Sequence, residues 1–476
     1  MKMSKRTTVL LLVAFGGFGA LLLGCGGVLK AQVLVRTYYD SSKATILKET
    51  YNITSKTDST RVGDYTKFHP SGKVQLKGGY EAGVKHGVFT EYYESGRPML
   101  ETTFDKGRKN GPIKAWYSDG KPSQLGVFRD NKLQDTVVAW YEDGSLKSKS
   151  KFRDDWPDGL MKIYHPNGKL KVEAIYAVAK PNGYWNEYFR SGSPYIKSNY
   201  RNGLLMGTYQ VYYPNGKLET ESVYSEGEKN GTYKSYAKNG TKILEGFYKN
   251  GKIDGPNTAW YRDGKLKHEL KYREGLLCCT GKYYHPNGNL KQKISFGDTP
   301  GEKEISNYDL NGRQLEDQKY LNKLPTGTWK TYHPSTGKVK TRESYNEVGK
   351  LAGTRIHYDT LGHKVTEEPY INGVKTGIET HYFGKSGKVE ASYEYKGNAR
   401  SGPYKKFNEQ GVLVETGFYR QDLQQGKVQK FNADGKLVRT EWYQAGTMSG
   451  FKDAKAGRPT QLEYNQKKGH DSTKIK

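Results

Sequence analysis

Hydrophobic positions in this chain alternate inside short runs, and the runs return every 24 residues. Aligned on Gly63, glycine recurs at 87, 111, 159, 183, 207, 231, 255 and 327, each a multiple of 24 away. Asp135, Cys279 and Lys303 hold the same slot in copies without glycine, and small insertions then shift it to Gly353, Gly377, Gly402, Gly426 and Gly450. About sixteen copies fill residues 63–450. Such repetition overrides the several ordinary domains that 476 residues would otherwise suggest.

Copy 207–230 shows the mechanics. Residues 208–213 are short and rich in aromatic and β-branched types, which predicts a strand. Pro214-Asn215-Gly216 predicts a type I turn closed by a glycine bulge. Residues 217–224 form the return strand, and Ser225-Glu226-Gly227 starts a second turn. Each copy is thus a hairpin, and the predicted fold is all-β: an elongated, twisted antiparallel meander of tandem hairpins. Two columns are aromatic in every copy. One runs from Phe68 and Tyr92 to Phe431, the other from Tyr80 and Phe104 to Tyr443. Both are expected to form the repeating core, because one hairpin cannot bury its own apolar face. Residues 33–62 hold one more strand pair, around Tyr38-Tyr39 and Ile46–Tyr51, expected to cap the array. Residues 451–476 are expected to be a disordered tail.

Composition agrees with a thin core. Gly is 57 of 476 residues, hydrophobic residues are 34%, yet aromatics reach 13%. A disordered chain would be poor in aromatics. The formal net charge is +27, with lysines scattered singly beside turns rather than in blocks. That suits a solvated basic surface, or one that attracts an anionic partner. Nucleic acid is not the expected partner.

The residue after the first aromatic column is aromatic or histidine in most copies: His69, Tyr93, Tyr117, Tyr141, His165, Phe189, Tyr213, Tyr261, His285, His333 and Phe383. Its parity is opposite to that column. With lysines nearby, this stripe is the candidate binding surface, for sugars or anionic chains. Edge packing near the turns is the alternative use of the same residues.

No catalytic constellation stands apart from the repeat, and no cofactor or metal is expected. His69, His165, His285 and His333 lie several copies apart and cannot share a metal. His357 and His381 could be neighbours, but two ligands do not make a site. Cys278-Cys279 could form a vicinal disulfide or be two tolerated small residues.

The pattern Gly-x4-aromatic-x3-Gly, followed by Lys-Leu and a closing Tyr-x-x-Gly, resembles the MORN repeat variant. Examples are Gly159 with Tyr164, Gly168, Lys169 and Leu170, and Tyr224 with Gly227 and Gly231. The resemblance spans roughly residues 60–450. It implies an antiparallel sheet with a binding or scaffolding role. Bacterial members are often labelled YwqK-type antitoxins, which implies a partner toxin as the rival reading.

At the N-terminus, Lys2, Lys5 and Arg6 precede an uncharged stretch from Thr7 to Leu29. Residues 1–32 are expected to be an export signal or membrane anchor. Leu22-Leu23-Gly24-Cys25 resembles a bacterial lipobox, which implies lipidation of Cys25. Cleavage near Ala31 and an uncleaved spanning helix are the alternatives. Each puts the repeats outside the cytoplasm, in the cell envelope or secreted. The expected function is a non-enzymatic envelope protein that binds a protein, a polysaccharide or an anionic lipid surface. An export signal fits poorly with neutralising a cytoplasmic toxin.

Overall fold

Each copy becomes two strands and two tight turns. The computed structural model describes residues 32–40 and 43–454. In copy 207–230, Gly207–Tyr212 lies antiparallel to Leu218–Ser225, with Thr208 opposite Val223 and Gln210 opposite Glu221. At the Pro214-Asn215-Gly216 turn, Tyr213 N–H donates to Lys217 O at 2.8 Å and Gly216 N–H to Tyr213 O at 2.9 Å. Gly216 takes a φ of +80°, and the register slips between Val211 and Tyr212, as a glycine-bulge closure requires. The second turn has two residues. Glu226 (φ 52°) and Gly227 (φ 87°) sit between the paired Ser225 and Glu228. Two successive left-handed residues make a type I′ turn, whose twist matches its strands.

The repeating glycine slot has a separate cause. Ser222 faces Tyr233 and Tyr224 faces Lys229, so three residues of the leading strand oppose Val223 alone. The bulge puts Gly231 at φ +134°. Asp135 and Cys279 keep a left-handed backbone in this slot, at φ 57° and 65°. In the Lys303 copy the bulge is gone: Phe296 faces Lys303 and Ile294 faces Ile305 in unbroken register. A left-handed non-glycine residue is strained. Cys279→Gly is therefore expected to raise stability by about 0.5–1 kcal/mol, read as a higher Tm. A lower Tm would mean that the Cys279 side chain contributes more than its backbone strain costs.

The chain divides into two units, Met1–Thr241 and Lys242–Lys476. In the first, Val33–Tyr38 pairs with Leu47–Ile53, which pairs with Arg61–Phe68, and hairpins follow in chain order to Glu228–Tyr236. In the second, the same meander runs from Lys242–Lys249 to Thr447–Asp453. Both are all-β and antiparallel, the fold class read from the repeat. At the N-terminal end, segment 33–62, expected to cap the array, supplies Val33–Tyr38 and Leu47–Ile53. At the other end, pairing continues past the expected start of the tail at 451. Phe451 faces Glu441, Asp453 faces Arg439, and Arg439 Nε meets Asp453 Oδ1 at 2.7 Å. Residues 1–31, which include Cys25, and 455–476 lie outside the described residues.

The buried column is neither aromatic ladder. It is the pair two residues after the glycine slot and fifteen after it. Tyr65 faces Gly78, Phe89 faces Thr102, Val137 faces Ser150, Met161 faces Ala174 and Trp185 faces Ser198. A large side chain lies over a small one, so a single sheet can close-pack without a second layer. Further along, Tyr404 faces Gly417, and Tyr404 and Val428 are fully buried. The second ladder flanks this column edge to face: Tyr80–Phe89 centroids are 5.6 Å apart and Phe89–Phe104 centroids 5.2 Å.

Candidate binding faces

The first aromatic ladder lies on the opposite face. Strand alternation separates it from the buried column, and its hydroxyls meet the polar side chains of that second face. Tyr212 donates to Gln210 Oε1 at 2.8 Å, Tyr284 to Glu269 Oε2 at 2.6 Å and Tyr332 to Asp317 Oδ2 at 2.7 Å. Burial, and then the Glu269 carboxylate, push the Tyr284 hydroxyl up to about 12. This face is open to solvent: Val88 is 52% exposed, Leu160 42% and Ile378 64%. The two ladders expected to share one core thus sit on two faces, because the turn bulge reverses the parity that simple counting would give.

The candidate stripe runs along the turn edge, and every member is half-buried. Its polar tips are in use. The hydroxyls of Tyr93, Tyr117 and Tyr141 donate to the carbonyls of Trp116, Trp140 and Tyr164 at 2.8, 2.7 and 2.8 Å. Tyr213 and Tyr261 do the same to Tyr236 and Tyr284 at 2.9 and 2.7 Å. His69, His165, His285 and His333 bring Nε2 within 3.3, 3.0, 3.0 and 2.8 Å of the carbonyls of Tyr92, Tyr188, Tyr308 and Tyr358. Phe189 and Phe383 lack a polar tip; Phe189 packs on Tyr195 at 4.8 Å. Each tie joins one copy to the ladder residue of the next, satisfying a carbonyl that the bulge leaves beside the strand pairing. Tyr39 ties to Phe68 O at 2.7 Å, so segment 33–62 uses the same device.

Basic residues after the turn glycine reach the following turn. Lys217 Nζ donates to Asn239 O at 2.6 Å, Lys338 Nζ to Leu361 O at 2.6 Å and Lys121 Nζ to Glu142 O at 3.1 Å. Part of the chain's positive charge is thus spent between neighbouring turns. Removing one tyrosine tie by Tyr117→Phe is expected to cost about 1 kcal/mol, measured by thermal unfolding. No change would mean that water replaces the tie without loss.

Copies 353 and 377 differ from the rest in the leading strand, where Arg355 and Glu379 replace the uncharged member of the core column. Arg355 faces Glu368, and Glu379 faces Tyr393. Lys375 Nζ lies 3.0 Å from Glu368 Oε1 and 2.9 Å from Glu379 Oε2. His381 Nε2 is 2.9 Å from Glu379 Oε1, and His357 Nε2 is 3.4 Å from Glu368 Oε2. The two histidines thus address different carboxylates. Burial favours protonated Glu379, but bonds from His381, Lys375 and Tyr395 outweigh it and hold the carboxyl at about 2. A depressed carboxyl contributes stability above its ordinary value of 4.5 and loses it as pH falls toward 2. Hydrogen exchange of residues 353–395 is therefore expected to accelerate between pH 4.5 and about 2, once corrected for intrinsic rates. In Glu379→Gln this acid-dependent step should shrink; an unchanged profile would assign it to other carboxylates.

Among the described residues, no group of three or more His, Cys, Asp or Glu is placed to hold a metal ion. Cys278 and Cys279 are free thiols with Sγ atoms 3.2 Å apart. Among the same residues, no helix is long and apolar enough to cross a membrane.

The repeat geometry agrees with the sequence comparison. Residues 61–82, 85–106, 157–177, 207–226, 229–250 and 280–298 match the MORN repeat variant. The chain carries MORN-variant repeats. MORN repeats are generally binding or scaffolding modules and generally non-catalytic. No curated protein matches the chain. Similar solved structures include the crystal structure of TcdB2-TccC3 without its hypervariable C-terminal region, at 9% identity over 89% of this chain and 31% of that one, with a TM-score of 0.14. Another is the Photorhabdus luminescens Tc holotoxin pore, at 11% identity over 90% of this chain and 29% of that one, with a TM-score of 0.12. This chain spans less than a third of either.

Proposed function

We propose that this repeat protein is a non-enzymatic binding or scaffolding protein of the cell envelope. The observation that carries this reading is the open face of the sheet. It repeats an aromatic ring in every copy and carries charged side chains in most of them, while the buried packing column is on the other face. A surface built by repetition suits a partner that is itself extended or repetitive. The turn-edge stripe from His69 to Phe383 is a second contact zone, offering ring faces rather than polar tips, since the tips already tie neighbouring copies.

Export rests on residues 1–32, with Cys25 as the lipidation site. Fractionation of cells carrying Cys25→Ala is expected to show loss from membranes. Unchanged retention would point to a spanning anchor instead. Cross-linking in envelope fractions is expected to trap a protein, glycan or lipid partner on the wild-type chain. Failure to trap any of these would remove the binding reading. Alanine at Tyr93, Tyr117 and Tyr141 is expected to weaken capture, whereas phenylalanine at those positions should preserve it. Equal capture by both variants would remove the stripe from the contact surface. Neutralisation of a toxin is the rival function, supported if co-expression with a toxin rescues growth.

A further inference from the structure

On the open face, a central column of side chains passes from strand to strand in direct register. In the first unit, two charged side chains meet there at a few places, and at three of them the charges are opposite. Glu101 faces Lys114 at 3.8 Å, Lys162 faces Glu173 at 2.9 Å and Glu221 faces Lys234 at 3.7 Å. The pattern fails at one place. Lys149 stands directly opposite Lys162. Like charges directly opposite are destabilising. The same strand makes the conflict worse: Lys147, Lys149 and Lys151 alternate onto this face, and all three are exposed. Lys149 and Lys151 form no ion pair among the described residues. Together with Thr136, Leu160 and Tyr164, they line a cleft of about 330 Å³.

A local charge conflict with no compensating contact is where a functional surface is expected. We propose that this cleft binds a linear anionic polysaccharide, with Lys147, Lys149 and Lys151 pairing its carboxylate or sulfate groups. Two features select the polymer. The ladder rings Trp140 and Tyr164 flank the strand that carries these lysines, so they are two strand spacings apart, about 10 Å. That is close to the length of a disaccharide and too long for stacking successive nucleic-acid bases. The cationic groups are all lysines, which act as point charges toward scattered single anions. Arginine would be the better fork for phosphate. The inference rests on the reading of this chain as a binding protein, and commits it to one ligand chemistry.

The test uses the full chain. Wild-type protein is immobilised and titrated with dextran sulfate, polygalacturonate, single-stranded RNA and vesicles containing phosphatidylglycerol. The comparison is a variant carrying Lys147→Gln, Lys149→Gln and Lys151→Gln, and a control carrying Lys385→Gln, Lys427→Gln and Lys436→Gln. The two lose the same charge. Binding to one or both polysaccharides is expected to weaken about tenfold in the first variant and hardly in the control, with the difference shrinking at high salt. Carboxylated and sulfated sources are told apart by which polymer responds. Equal weakening in both variants would reduce the effect to net charge and overturn the site. Preferential, patch-dependent binding of RNA or vesicles would overturn the ligand class. No binding to any polyanion would overturn the inference alone, since partner capture in envelope fractions tests the broader reading separately. Folding is checked by thermal melting. Lys149→Gln relieves the Lys149–Lys162 contact, so its Tm should equal or exceed that of wild type; a fall would mean that Lys149 is structural and would also overturn the proposal.

Discussion

Replacing Lys375 with methionine is expected to destabilise copies 353–400 by about 3–5 kcal/mol. The Lys375 side chain is only 12% exposed and bridges two carboxylates, Glu368 and Glu379, which are 17% and 8% exposed. Its ammonium also lies 4.2 Å from the Tyr395 ring centroid. Methionine keeps the stem and removes the charge. Two nearly buried carboxylates then face each other with too few donors, and that penalty exceeds the loss of the bridge itself. Pairing Lys375→Met with Glu379→Met should recover much of the loss, because a buried ion pair replaced by apolar groups is often neutral. The readout is hydrogen exchange across residues 353–400, which reports a local opening that global unfolding of a long array would blur. A loss below about 1 kcal/mol would mean that water or His381 supplies the missing donors.

Why this cluster escaped the sequence reading is instructive. Arg355, Glu368 and Glu379 occupy positions that are apolar or small in most other copies, but those positions are themselves too variable to look like a column. Tyr65, Ile113, Met161, Asn257 and Gly281 share one slot. Only the cross-strand partner makes sense of them. The facing residue shrinks when the first grows, and pairing of this kind is visible only with the register. The aromatic ladders, by contrast, are constant in type and therefore legible. Their division between two faces was not, because a bulge shifts the register beside Tyr212 and a second bulge follows Tyr224. The turns were legible for the opposite reason: Pro214-Asn215-Gly216 fixes the backbone locally. The stripe was found as a column of residue types, but the acceptor of each tip lies about one copy away. A rule combining a polar-tipped ring with a 24-residue period could have suggested it. The lysine contact at 149 and 162 needed the register as well.

The second large effect is expected at Phe89. Its ring lies against Gly78 so closely that a methyl group placed on Gly78 would come within 2.5 Å of it. Tyr80 and Phe104 meet it edge to face, and Lys85 Nζ sits 4.7 Å from its centroid. Phe89 is 3% exposed. Phe89→Ala should cost about 3–5 kcal/mol, since it removes a buried ring and leaves a void that a bare glycine cannot fill. The reverse change tests the same contact. Gly78→Leu alone should also destabilise, by overpacking, typically by about 1–3 kcal/mol. Combined with Phe89→Ala it should restore part of the loss, because the large member of the pair then comes from the other strand. The second unit already uses that arrangement, where the Leu270 side chain lies over Gly281 at 2.9 Å from the place a methyl would take. Thermal unfolding of the two single variants and the double gives the coupling energy directly. Strict additivity would mean that the two positions pack independently, and the large-over-small pairing would then not be the principle that lets one sheet carry its own core.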